Sequence, residues 1–283
     1  MREIKIGHSP DADDAYMFYA ITHGIVSIDG PEPAGHSEVL EDIQSLNARS
    51  MRGELEMTAI SAAVYPQVAD RYRILSCGAS MGLGYGPIVV SNRDRSVESL
   101  RGGRVAMPGV NTTAFMLSKI FLPEVQAVQL PFDTVMDPVA AGELDAAVVI
   151  HEGQLTYVDA GLTKMLDLGE RWYDDTGLPL PLGLDCVRRD LGDEWHVALG
   201  RALRASIDAA FANNADAVDY ALEFGRGIDA ERGEKFAKMY VNELTVDMGA
   251  DGEAALRELY SRAHWHGIIS EIPPLDIVRV PPS

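Results

Sequence analysis

The chain passes again and again from a short apolar strand through a polar turn into helical spacing, and this repetition constrains the fold more than any other feature. Ile4 and Ile6 alternate with charged neighbours, His8-Ser9-Pro10-Asp11-Ala12-Asp13-Asp14 reads as a turn, and Ala15 to Ile21 has helical spacing. Leu55 to Ile60 reads as a strand that breaks at Ser61, with a helix from Ala62 to Asp70 behind it and Ser61 at the capping position. The pattern recurs at Gly103 to Met107, where Pro108-Gly109 makes the turn and Asn111-Thr112-Thr113-Ala114 opens a helix from Phe115 to Phe121. Val139 to Ala147 reads as a helix end, a turn and then a strand buried on both faces, which runs on through Val148-Val149-Ile150. Units of this kind build α/β sheets, and the strand ends of open sheets face a ligand crevice.

At 283 residues the chain sits near the length at which one core gives way to two. Tyr85 to Ser91, followed by the polar Asn92 to Ser96, reads as a crossing from one lobe to another, and Leu178 to Gly183 reads as the return. The expected division is residues 1–92 with 184–283 as lobe I, and 93–183 as lobe II. After Asp190 the spacing is helical in four stretches, Trp195 to Asn213, Ala215 to Phe224, Ala230 to Val241 and Gly252 to His266, and Ile272 to Val278 is extended. Two crossings between α/β lobes describe a hinged clamshell, with its ligand site in the cleft.

Composition removes whole classes of function. A net charge of −19, from 43 acidic against 24 basic side chains, would repel nucleic acid. Hydrophobic residues at 47% without a long apolar run argue against membrane insertion. Cys77 and Cys186 lie far apart in apolar contexts, which suits reduced buried thiols better than a disulfide or a metal site. Met1 to Gly7 enters a strand pattern without the features of a secretory leader, so the expected compartment is the cytoplasm.

His151 leaves the end of the buried strand and enters a polar turn, where an imidazole either caps the next helix or moves protons in the crevice. His8, after the first strand, is its rival. Ser61 and the Thr113-Ala114 pair read as helix N-termini in different lobes, an arrangement that would hold a small anion between them, although each residue also serves as a plain cap. Asp14 either caps the first helix or accepts a hydrogen bond from a substrate hydroxyl. Asp11, Asp13 and Asp14 lack the glycine and terminal glutamate of a calcium loop, so no metal is expected. His36, His196, His264 and His266 read as structural or solvated. The chain carries no Gly-x-Ser-x-Gly elbow, no phosphate-binding glycine loop and no His-Glu-x-x-His, which leaves a general base working without a cofactor.

Segments in a fixed order carry a family resemblance: Ser9-Pro10 to Asp14, Glu41-Asp42 with Leu46-Asn47, Ile60-Ser61, Gly86-Pro87-Ile-Val-Val, Pro108-Gly109 with Thr112-Thr113-Ala114, Ile150-His151-Glu152 with Thr156-Tyr157, and Asp167 to Gly183. Together they resemble the 1,4-dihydroxy-6-naphthoate synthases of the futalosine route to menaquinone. The resemblance implies an α/β, two-lobe clamshell of periplasmic-binding-protein type II with a helical C-terminal segment. It implies that His151 is the proton acceptor, that Asp14, Asn47, Ala59, Ile60, Ser61, Thr113 and Ala114 bind the substrate, and that no cofactor takes part. The implied partner is a small anionic substrate, cyclic dehypoxanthinyl futalosine, and a homodimer is compatible with the sequence. Two departures stand out. The first loop usually reads Ser-Pro-Cys-Pro-Asn-Asp-Thr in the family but Ser9-Pro-Asp-Ala-Asp-Asp-Ala15 here, and Ala59 stands where lysine is common. The alternatives are the sibling chorismate dehydratase, which lacks the histidine at the strand end, and a solute-binding protein for a small organic anion.

Overall fold

The computed structural model describes residues 2–94, 96–224 and 230–281. Arg95 of the Asn92–Ser96 segment, and residues 225–229, lie outside the described residues. In chain order the strands are β1 (Arg2–His8), β2 (Ala34–Leu40), β3 (Met57–Ser61), β4 (Tyr72–Leu75), β5 (Ser80–Gly82), β6 (Ile88–Ser91), β7 (Arg104–Met107), β8 (Gln126–Gln129), β9 (Ala146–Val149), β10 (Thr163–Asp167), β11 (Leu180–Arg188) and β12 (Ile277–Val278). They form two sheets. A seven-stranded sheet runs β12-β4-β11-β3-β1-β2, with β5 also on β11, and a five-stranded sheet runs β10-β6-β9-β7-β8.

In each sheet two neighbouring parallel strands, β1 with β3 and β7 with β9, end at the space between the sheets. Their carboxyl ends therefore deliver four loops to one cleft, as the topology of open α/β sheets requires. Antiparallel β11 starts where β3 stops, with Gly183 opposite Ser61, and so adds its own first residues to the same place.

The longer helices are α1 (Ala12–Thr22), α2 (Ile43–Arg52), α3 (Thr113–Phe121), α4 (Leu168–Thr176), α5 (Asp193–Ala212), α6 (Asn214–Leu222), α7 (Ala230–Tyr240) and α8 (Gly249–Trp265). The last four match the four helical stretches of the C-terminal third to within a few residues. The stretch from Ala62 to Asp70 departs from expectation: a 3₁₀ turn, Ala62–Val64, is followed by a single α-turn, Tyr65–Val68, with Pro66 in its first positions. Proline has no N–H to continue a ladder already interrupted by the 3₁₀ turn.

The all-apolar strands owe their stability to burial on both faces. Along β6 and β9, Ile88, Val90, Ala147 and Val149 pack into one cluster while Val89, Ala146 and Val148 pack into another, which is the period-two alternation of a pleated strand. The second of these clusters extends through Leu117, Trp172 and Leu180 to Ile60, Tyr65 and Tyr260, so one apolar core backs both sheets behind the cleft. Chain crossings pass close together there. A Cβ on Gly169 would lie 2.0 Å from the Tyr85 carbonyl carbon and 2.4 Å from the Gly86 nitrogen, a separation only glycine permits.

The strand assignment moves the expected lobe boundaries. β6 belongs to the five-stranded sheet, so the first crossing comes before Ile88 rather than after residue 92, and β11 is in the seven-stranded sheet from Leu180, ahead of residue 184. Short apolar runs such as Ile88–Val90 and Leu180–Leu182 satisfy either sheet equally well, which is why their sequence does not choose.

Candidate functional site

The loops after β1, β3, β7 and β9, together with the start of β11, line a cleft holding about 720 Å³ of space free of protein atoms, counting its mouth. Of the residues expected to contact substrate, Asp14, Ala59, Ile60, Ser61, Thr113, Ala114 and His151 line it. Asn47 does not. It is fully buried on α2 behind Ser61, where its amide nitrogen donates to Ser61 Oγ (3.0 Å) and to the Asn111 carbonyl (3.1 Å) and its oxygen accepts from the Ser61 N–H (2.9 Å).

Ser61 is the last residue of β3 and makes no side-chain cap, so the expected helix terminus is absent at this wall. α3 is a helix of nine residues capped by Thr112, whose hydroxyl accepts from the Phe115 N–H at 3.2 Å. The first-turn N–H groups of Thr113 and Ala114 have no carbonyl to meet inside the helix and point their positive ends outward. The Thr113 hydroxyl is already committed, donating to the Leu182 carbonyl (2.8 Å) and accepting from the Ala63 N–H (3.1 Å).

His151 follows β9 with φ 53°, the only non-glycine positive φ among the described residues. Its ring does not cap the turn Gly153–Thr156, which has no side-chain cap. Instead Nδ1 lies 3.1 Å from Asp11 Oδ2, and the edge of the ring meets Phe132 with centroids 4.8 Å apart. The rival His8 is fully buried, stacked on Phe18 at 4.4 Å, and burial lowers its pKa; it does not line the cleft. His196 is buried rather than solvated, bridging the Arg73 guanidinium and the Arg188 carbonyl.

Reading the sequence for substrate contacts missed the other acids of the cleft. Asp11, Asp13 and Asp185 line it, with Ser9, Gln154 and Tyr240. Among the described residues no lysine or arginine lines it. Burial, followed by the neighbouring Asp11 charge, pushes Asp13 and Asp14 well above the usual carboxylate range, and burial pushes Asp185 up to about 8. Burial also works against ionisation of Asp11, but the hydrogen bond and charge of His151, with help from Asp13 and the Ser9 hydroxyl, outweigh it and hold Asp11 well below that range. Burial thus favours the neutral form of Asp13, Asp14 and Asp185, while Asp11 stays a carboxylate facing the His151 imidazole. An anion is not repelled by such a wall.

Asp11, Asp13 and Asp14 each bring an oxygen within 4.8 Å of the others, close enough for a cation. Two of the three acids have other work: Asp11 takes the Ser9 hydroxyl and the His151 ring, and Asp14 Oδ2 accepts from the Ser9 N–H at 2.6 Å. The acids hold the loop and the ring, and we assign no metal to them.

A cleft between two α/β sheets, entered by parallel strand ends and lined by a histidine and a helix N-terminus, defines a clamshell of the binding-protein type with an imidazole in its cleft. The fold is shared with the alkanesulfonate-binding protein of Xanthomonas axonopodis pv. citri, at TM-score 0.72 over 99% of both chains with 12% identity. A menaquinone biosynthesis family model matches residues 4–265, and the chain belongs to that family. It is similar to the "1,4-dihydroxy-6-naphtoate synthase" of Thermus thermophilus, 37% identical over 273 residues that cover 96% of this chain and 98% of the relative. The crystal structure of an Archaeoglobus fulgidus protein superimposes at TM-score 0.89 with 46% identity, covering 94% of this chain and 98% of the other. Among the described residues no helix is long and apolar enough to cross a membrane.

Proposed function

We propose that the protein is a 1,4-dihydroxy-6-naphthoate synthase, a cofactor-independent lyase that takes cyclic dehypoxanthinyl futalosine to the naphthoate. Family membership supports the reaction, and one observation carries the mechanism: His151 sits in the cleft with Nδ1 engaged by Asp11, which leaves Nε2 as the nitrogen for substrate. Nε2 takes a carbon-bound proton, the sugar-derived part leaves, and the ring becomes aromatic. Only a neutral imidazole has the bare ring nitrogen that such a proton transfer needs.

The anionic end of the substrate goes against the α3 terminus and Ser61, where N–H donors and a hydroxyl line the cleft. The hydroxyls of the sugar-derived part fall to the acidic wall of Asp13, Asp14 and Asp185, whose carboxyls accept hydrogen bonds and, where protonated, also donate them. Incubating the purified protein with cyclic dehypoxanthinyl futalosine tests the reading. A growing naphthoate chromophore is expected; unchanged substrate recovered across the histidine pH range would place the protein among binders that share the fold.

A further inference from the structure

We propose that Asp11 is a positioning residue for His151: its carboxylate, fixed from the opposite wall of the cleft, holds the imidazole in the Nδ1–H tautomer and so makes Nε2 the base. The proposal rests on the reading of His151 as the proton acceptor. Asp11 follows β1 in the seven-stranded sheet, and His151 follows β9 in the five-stranded sheet, yet Oδ2 and Nδ1 are 3.1 Å apart with side chains 3% and 16% exposed.

The carboxylate is not free to swing. Ser9 Oγ donates to Oδ2, and the Asp14 N–H reaches Oδ1 at 3.4 Å as the cap of α1. An ionised carboxylate only accepts, so the hydrogen between it and a neutral ring resides on Nδ1, and a neutral imidazole has one N–H. Nε2 is then a lone pair. Backbone geometry agrees with a ring held for a purpose, because φ 53° is a conformation that residues other than glycine seldom adopt and that clusters at functional sites. The other titratable groups around the pair are Asp13 and Asp14 on α1, Glu152 beside His151, Asp185 on β11 and His8 at the end of β1.

The competing description is a static ion pair that ties the two walls and leaves the ring protonated. The two differ in the ring's tautomer and titration, which can be read without turnover. Nitrogen NMR of histidine-labelled protein is expected to show neutral His151 with its proton on Nδ1. Asp11→Asn preserves helix capping. It should mix the tautomers and move the ring's midpoint down by about 1 pH unit, since a nearby negative charge no longer favours imidazolium. Asp11→Glu keeps the charge and should hold the midpoint near that of the parent.

In turnover, Asp11→Asn should lower kcat about 10- to 100-fold, the usual effect of removing a group that orients a ring. KM should change little, and the ascending limb of the pH profile should move to lower pH. Adding Asp11→Asn to His151→Asn should cost nothing further. A tautomer and midpoint unaltered by Asp11→Asn would overturn the proposal, as would additive losses in the double variant. If the NMR behaves as expected while neither protein converts cyclic dehypoxanthinyl futalosine, the synthase reading fails and the pairing stands.

Discussion

Asn47 stands directly behind Ser61, giving one hydrogen bond to its hydroxyl and taking another from its N–H, at 3.0 and 2.9 Å. The pairing fixes the end of β3 from α2. Asn47, expected to bind substrate, sits outside the cleft and holds a neighbour that lines it. Asn47→Ala leaves the buried Ser61 N–H unpaired, which should cost about 1–3 kcal/mol of stability. Ligand affinity should fall with it, because the strand end loses its support. Thermal melts and ligand titrations together check this, and affinity lost without any stability loss would return Asn47 to the substrate.

His151→Asn should remove turnover by a factor of about 100 to 10,000, with folding and ligand binding preserved. Asparagine suits the site twice over. It keeps polarity without a basic nitrogen, and it tolerates the left-handed backbone at φ 53° better than most residues. Single-turnover kinetics alongside a binding isotherm separate chemistry from affinity. Near-normal turnover would put the base elsewhere.

The strand–turn–helix units were legible because β1, β3, β7 and β9 each carry a period that local sequence preserves, and their ends reach the cleft as open-sheet topology demands. His151 was legible for the same reason. What escaped was long-range. Asp185 reaches the cleft only because β11 pairs antiparallel with β3, and nothing near Asp185 in the sequence encodes that register. Asp11 read as part of a failed calcium loop, since its partner comes from the other sheet. His8 and His151 looked alike as strand-end histidines until packing against Phe18 separated them. Pro66 was a local signal that the helix after Ser61 would be short.

Thr113 ties the walls of the cleft through its hydroxyl, while its main chain opens the α3 terminus beside the cleft. Thr113→Val removes both hydrogen bonds in a buried place and should cost roughly 1–3 kcal/mol, whereas Thr113→Ser should cost much less. Ligand affinity of the folded valine variant should stay close to that of the parent, because the α3 terminus still presents its N–H groups. Melts and titrations on the pair of variants decide it. A valine variant that is stable but binds poorly would assign the hydroxyl to the ligand instead.

Asp185 is 1% exposed, and its Oδ1 has no hydrogen-bond partner among the described residues. Burial raises its folded-state pKa to about 8, far above the value near 3.9 of an unfolded chain. The folded protein therefore holds a proton that the unfolded chain releases. Its stability contribution is complete below about pH 4 and is lost as pH rises through about 8, at up to about 1.4 kcal/mol per pH unit in between. Asp13 and Asp14, also raised, act with the same sign. Asp185→Asn keeps the shape of the protonated acid and abolishes its titration. The variant should lose less stability than the parent between pH 5 and 9, so the difference in Tm between them should move in the variant's favour as pH increases. A Tm difference constant across that range would mean that Asp185 is ionised in the folded protein and that its charge is neutralised within the cleft.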